Sequence, residues 1–145
     1  MTENTAQTAP KWFLIVAILA LVWNFMGVAA YIAHAYMSPG ALAALPEAER
    51  ALYESIPAWA TAAFAIAVFG GALGSLFLVV KKDWALPVLV LSLAGILVQQ
   101  FHSFILINSI EVYGPGGMIM PAMVLLIAIY LVWLAKSAKA KGWIS

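Results

Sequence analysis

Polar side chains that could bind a ligand recur at helical spacing within two long apolar segments of the chain. In the first segment Asn24, Tyr31 and His34 lie seven and then three positions apart, which places them on one face of an α-helix. In the second segment Gln99 and His102 share a face for the same reason. Polar groups are costly to place in lipid, and those found there commonly line a ligand site or a pathway. We therefore expect the two polar faces to meet.

Two more polar residues extend this predicted cluster: Gln100, which follows Gln99, and Glu111, just beyond the second segment. Amide groups hydrogen-bond uncharged solutes, and rings such as Trp23 and Phe101 could stack on a sugar. The predicted function is therefore binding or transport of a small polar solute, with sugars as candidates. A plainer interpretation is that the amides bond helix to helix, each pair contributing about 0.6–2 kcal/mol. The predicted binding residues are Asn24, Tyr31, His34, Gln99, Gln100, His102 and Glu111.

Catalysis and tightly bound cofactors find little support in the sequence. His102 and Ser103 are adjacent, so on a helix their side chains point about 100° apart and cannot act as a base and nucleophile pair. The chain contains no cysteine, which excludes disulfides and thiolate metal sites. We expect neither an enzyme nor a cofactor. One alternative is a haem held between His34 and His102 on separate helices.

Four apolar runs must position these residues. The chain has 145 residues, of which 66% are hydrophobic and 9% charged, far from the composition of a soluble domain. Its apolar runs contain no Asp, Glu, Lys or Arg, and each is close to the length of about 20 residues that crosses a bilayer as a helix. The sequence predicts an all-α, four-transmembrane-helix bundle with spans at 12–36, 58–80, 84–107 and 118–135.

The charged residues give this bundle an orientation. Lysines cluster at one set of helix ends, namely Lys11, Lys81, Lys82, Lys136, Lys139 and Lys141. The other side holds Arg50 together with Glu47, Glu49, Glu54 and Glu111. Because basic residues favour the cytoplasmic side, we expect both termini in the cytoplasm and the protein in the bacterial inner membrane. Residues 1–11 are then a disordered leader and 136–145 a basic tail, with no basic patch suited to nucleic acid.

A different interpretation treats the first span as a cleaved signal peptide, with Ala33-His34-Ala35 as the cleavage site. The apolar run before that site exceeds the usual signal core of about 7–15 residues, which favours a retained helix.

Loops and small residues predict how the bundle is closed and packed. The outer connection 37–57 has apolar residues at helical spacing and predicts a short interfacial helix, broken near Pro46, that covers the bundle or acts as a lid. Gly70, Gly71 and Gly74 form a small-residue face that allows close helix packing. Its partner could be another helix of the chain, a second copy in a homo-oligomer, or a larger membrane protein. The alternative function is accordingly a non-catalytic accessory subunit of such an assembly.

Several short tracts resemble a group of small proteobacterial inner-membrane proteins. They are Ser55-Ile56-Pro57-Ala58-Trp59, the run from Phe64 to Gly71, Trp23-Asn24 and Lys141-Gly142-Trp143. The members of this group have four helices and no established activity, although some are catalogued provisionally as sugar transporters. The resemblance covers nearly the whole chain and implies a multi-pass transport protein, but its motifs carry no chemistry that transfers to particular residues.

Overall fold

Four long helices make up most of the part of the chain that the structure describes, as the sequence predicts. The structure is a computed structural model that describes residues 8–106 and 110–145, and these residues are all-helical, with no strand among them. Each long helix is apolar and long enough to span a membrane. They are α1 (Lys11–Ala35), α4 (Ala58–Val79), α5 (Ala85–Phe101, continued by a π-helical segment His102–Leu106) and α7 (Ile119–Ala140). The predicted four-helix, all-α class is confirmed at this level.

Short helices connect the long ones at one end of the bundle. They are α2 (Pro39–Ala43) and α3 (Glu47–Glu54) between α1 and α4, and α6 (Ile110–Tyr113) with a 3-10 turn (Pro115–Met118) before α7. The break between α2 and α3 falls at Pro46, which immediately precedes α3. Because proline has no backbone N–H, α2 cannot continue through this position. Ser38 caps α2 by accepting a hydrogen bond from the Ala41 amide at 3.1 Å. We call this end of the molecule the loop end.

The opposite end, here called the terminal end, contains the start of α1, the turn between α4 and α5, and the end of α7. All four long helices meet there in one buried cluster. Phe13, Leu78 and Leu134 are almost completely buried in it, and Ile144 completes it from beyond α7. Because the cluster is well packed, the bundle is closed at the terminal end.

The last helix extends further than predicted. It continues to Ala140 instead of ending at residue 135, so the predicted basic tail is partly helical. Ala138 is fully buried on this added stretch, as is Ala135 just before it, and Lys139 pairs with Asp83 at 3.7 Å. The predicted leader lies mostly outside the described residues, apart from 8–11, and Lys11 already belongs to α1.

After α7 the chain folds back across the terminal end. The ring of Trp143 packs against Phe13 and Trp12, with centroids 5.5 and 5.6 Å apart. The Lys141 amine lies 4.7 Å from the Trp143 ring, and the Ser145 amide donates to the Lys81 carbonyl at 3.1 Å. These contacts fasten the final residues to both α1 and the turn between α4 and α5.

Small residues decide which helices are neighbours. Along the bundle α1 packs on α4, α4 on α5, and α5 on α7. Gly95 lies so close to α4 that an added Cβ would be 2.8 Å from the Ala63 carbonyl oxygen. Ser92 reinforces this contact by donating its hydroxyl to the Ala67 carbonyl at 2.6 Å. Because glycine has no side chain, the two backbones approach closely enough for this hydrogen bond.

The predicted small-residue face is used within the chain. An added Cβ on Gly70 would be 3.0 Å from the Ser92 Cβ, and one on Gly74 would be 2.6 Å from the Leu89 side chain, both on α5. Gly71 instead lies beneath Asn24 of α1. The face therefore packs α4 between α1 and α5.

Candidate functional site

A cavity of about 430 Å³ lies between the four long helices. Every long helix contributes to its wall, for example through Trp23, Ala67, Ile96 and Val124. Its floor, formed by Leu89 and Leu131, belongs to the buried cluster that closes the terminal end. The volume is within the range of about 300–1,000 Å³ that is usual for small-molecule sites. We call this space the inner cavity.

A second cavity, of about 360 Å³, lies above the first at the loop end. Helix α3 contributes Glu49, Leu52 and Tyr53 to its wall, so this short helix covers the cavity in part. We call it the outer cavity. Four residues line both spaces and mark the junction between them, namely Phe64, Gln99, Gln100 and Pro121. The two cavities therefore adjoin each other between the loop end and the middle of the bundle.

Some of the predicted binding residues join helices, and others line the cavities. Asn24 does both. Its side-chain amide donates to the Ala20 carbonyl at 2.8 Å and to the Ser75 hydroxyl of α4 at 3.2 Å. Its oxygen fills the space over Gly71, where a Cβ would be only 2.0 Å away. Asn24 also lines the inner cavity. Because both amide protons are used, its main role is to join α1 to α4.

Gln99 and Gln100 lie at the junction of the two cavities. The Gln100 amide donates to the Pro121 carbonyl of α7 at 2.8 Å, and the Gln99 amide donates to the Ser103 hydroxyl at a long 3.4 Å. A glutamine side chain has two N–H donors and one acceptor oxygen. Within the described residues, each glutamine side chain donates one hydrogen bond. Each therefore keeps one N–H donor and its acceptor oxygen for a solute.

The two histidines line the outer cavity from different helices. The His34 ring packs against the rings of Tyr53 and Phe64, at 4.8 and 5.6 Å between centroids. The His102 ring packs edge-on against Trp59 at 5.3 Å and is buried, although it begins the π-helical segment. Among residues 8–106 and 110–145, no group of three or more His, Asp or Glu side chains is arranged to hold a metal ion.

Tyr31 and Glu111 are not placed with the other predicted residues. Tyr31 packs against Phe64 and Phe69 of α4, at 5.4 and 5.6 Å, and Glu111 is exposed on α6. Neither is among the described residues that line the two cavities. Tyr31 does not line a cavity because α1 packs on α4 and not on α5, so the polar face of α1 is turned largely toward α4.

Tyr53 is a site residue that the sequence did not identify, because it occurs at an apolar position of the predicted interfacial helix. Its hydroxyl donates a hydrogen bond to the His34 carbonyl at the end of α1. Helix α3 is also close to α6, where partial burial and then the Glu49 carboxylate raise the pKa of Tyr113 above its ordinary value. The hydrogen bond from Tyr53 therefore fastens α3 to the end of α1, over the outer cavity.

We predict that Tyr53→Phe loosens this cover without unfolding the bundle. Losing one hydrogen bond of about 1 kcal/mol should raise the open fraction of α3 about fivefold. Trypsin cleavage at Arg50, the single arginine of the chain, reports this opening in sealed vesicles that expose the loop end. Tyr36→Phe is the control, since Tyr36 is 79% exposed. Equal cleavage rates in the two variants would show that the Tyr53 hydrogen bond does not hold α3.

No family model matches this chain, and the comparisons with curated proteins and with solved structures find no match.

Proposed function

We propose that this protein is an integral membrane protein that binds a small uncharged solute in its inner cavity and carries it across the membrane. The observation that supports the proposal is the inner cavity itself. It is lined by all four long helices and by the amides of Asn24, Gln99 and Gln100, and it adjoins the outer cavity. A packed structural bundle would have no need of such a space.

The proposed membrane placement follows from composition and charge. All four long helices are apolar enough to span a bilayer, and the lysines gather at the terminal end. By the rule that basic residues favour the cytoplasm, the terminal end faces the cytoplasm and the loop end faces outward, as in a bacterial inner membrane. The site is then closed toward the cytoplasm and open toward the outside.

The solute is uncharged because the inner cavity offers no partner for a charge. None of the described residues that line it is titratable. An ion in such an environment would lose its hydration without compensation, at a cost of several kcal/mol. The glutamines at the junction supply hydrogen bonds instead. The change of α5 to π-helical geometry at His102 supports a functional site here, since such segments recur at functional sites.

The test is solute binding and uptake by the purified protein in nanodiscs and proteoliposomes. Labelled sugars, polyols and neutral alcohols form the panel, and Gln100→Leu is expected to weaken binding about tenfold because a hydrogen bond to the solute is lost. Tyr130→Phe is the control, a polar-to-apolar change on a side chain of α7 that is 41% exposed and outside the cavity lining. Asn24→Ala should lower thermal stability more than affinity, since its amide protons bond to α1 and α4.

The outcome decides between this proposal and the alternatives. Binding without uptake would reduce the proposal from a carrier to a binding protein. If no solute of the panel binds, the accessory-subunit function is favoured, although the small-residue face that suggested it packs within the chain. A Soret band in the purified protein that disappears in His34→Ala or His102→Ala would favour the haem alternative.

A further inference from the structure

The inner cavity is bordered on one side by α1 and α7, and the exposure of lining residues on both helices indicates a gap between them. These helices meet in the cluster at the terminal end, but farther up the cavity lies between them. The lining residues on both rims are also exposed: Met26 of α1 by 63% and Met120 of α7 by 57%, with Ala30 of α1 exposed as well. In a bilayer this gap faces the acyl chains of the lipids.

The wall of the inner cavity has a polar end and an apolar end. Gln99 and Gln100 lie at the junction toward the loop end, where the outer cavity adds titratable side chains such as Glu49 and His34. Toward the terminal end the wall becomes apolar, ending at Leu89 and Leu131. The Ser92 hydroxyl is already bonded to α4, and the Asn24 amide protons are bonded to α1 and α4, so few polar groups are left along this deeper part.

A fully hydroxylated solute does not suit this wall. Each buried hydroxyl of a sugar without a partner costs on the order of 1–3 kcal/mol, and two glutamine amides cannot bond all of them. A molecule with one polar group and an apolar body matches the wall along its whole depth.

Building on the proposed function, we propose that the solute is an uncharged amphiphile drawn from the surrounding bilayer. It enters through the gap between α1 and α7, places its polar group against Gln99 and Gln100, and extends its apolar body toward Leu131. Entry from lipid spares the apolar body any passage through water, and the lack of titratable lining residues among those described excludes a charged head group from the inner cavity.

Photo-crosslinking in nanodiscs tests this assignment. The probe is a long-chain alcohol carrying a diazirine, and its counterpart is an alkyl sulfate with the same chain and diazirine. Mass spectrometry locates the labelled residues. The readout is labelling of Ile127, which lines the cavity, relative to Leu126, which is 66% exposed on the same helix outside the lining. The ratio of Ile127 labelling to Leu126 labelling should be about tenfold higher with the alcohol than with the sulfate.

Two pairs of variants test the route. Ala30→Trp narrows the gap from the α1 side and should reduce alcohol labelling of Ile127 about tenfold. Its control is Ala29→Trp, also exposed but outside the lining. Met120→Trp narrows the gap from the α7 side, and its control is Met123→Trp. This second pair tests the route if Ala30→Trp does not fold.

Each result supports or overturns a stated part of the inference. Equal labelling of Ile127 by the sulfate would overturn the uncharged head group. Undiminished labelling in both gap variants would overturn entry between α1 and α7. If the alcohol does not reach Ile127 while a sugar or polyol of the panel binds, the amphiphile is wrong and the proposed solute binding stands. If neither the alcohol probe nor any solute of the panel binds, both the amphiphile assignment and the proposed solute binding are overturned.

Discussion

Replacing Gly95 by alanine is expected to lower the free energy of unfolding by about 1–3 kcal/mol, and replacing it by leucine should lower it further. The added Cβ would be 2.8 Å from the Ala63 carbonyl oxygen and 3.0 Å from the Ala67 nitrogen. Both are backbone atoms of α4, so no side-chain rotation can relieve the clash and the two helices must separate. Separation would also break the hydrogen bond from Ser92 to the Ala67 carbonyl.

The measurement is thermal or denaturant unfolding of the purified protein in detergent, with Gly40→Ala as the control. A Cβ on Gly40 meets no atom within 4 Å, so this change should be neutral or slightly stabilising. An unchanged stability in Gly95→Leu would mean that α4 and α5 are not packed as closely as the structure shows.

Leu134→Ala should remove about 2 kcal/mol of stability, because it leaves a void in the cluster that closes the terminal end. Leu134 is 1% exposed and belongs to the same cluster as Phe13 and Leu78. Soluble cores lose about 2–5 kcal/mol for such a change, and the lower limit applies because lipid is as apolar as leucine and only packing is lost.

Leu126→Ala is the matched control on the same helix. Leu126 is 66% exposed and would face lipid, so its truncation should change stability little. Unfolding of the two variants under identical conditions isolates the packing contribution. A loss at Leu126 equal to that at Leu134 would contradict the arrangement of α7 in the bundle.

The helices could be predicted from the sequence, because a long uncharged apolar run has few alternatives to a helix. Bounds differ by a residue or two for α1 and α4, whereas α7 continues past the predicted end. The sequence predicts a boundary at Lys136 because a charged residue normally ends a membrane span. The structure keeps the helix going since Ala135 and Ala138 are buried and Lys139 has a carboxylate partner in Asp83.

The site was less predictable, because the sequence does not show which helices are neighbours. The spacing of Asn24 and Tyr31 indicated one face of α1, and the structure turns that face toward α4, where Asn24 bonds to Ser75. Gln99, Gln100 and His102 do line the cavities. The inner cavity itself had no signal in the sequence, since most of its wall consists of ordinary apolar side chains whose spacing resembles that of any lipid-facing helix.

The fold-back of the chain after α7 has a consequence for how the protein is made. Trp143 packs on Phe13, so residues from opposite ends of the sequence meet in one cluster. Helix α1 leaves the ribosome long before Trp143 is synthesised, and until then the cluster at the terminal end is incomplete. The bundle can therefore acquire its final packing only after translation has passed Trp143, and a C-terminal fusion that displaces this residue should slow maturation without affecting formation of the individual helices.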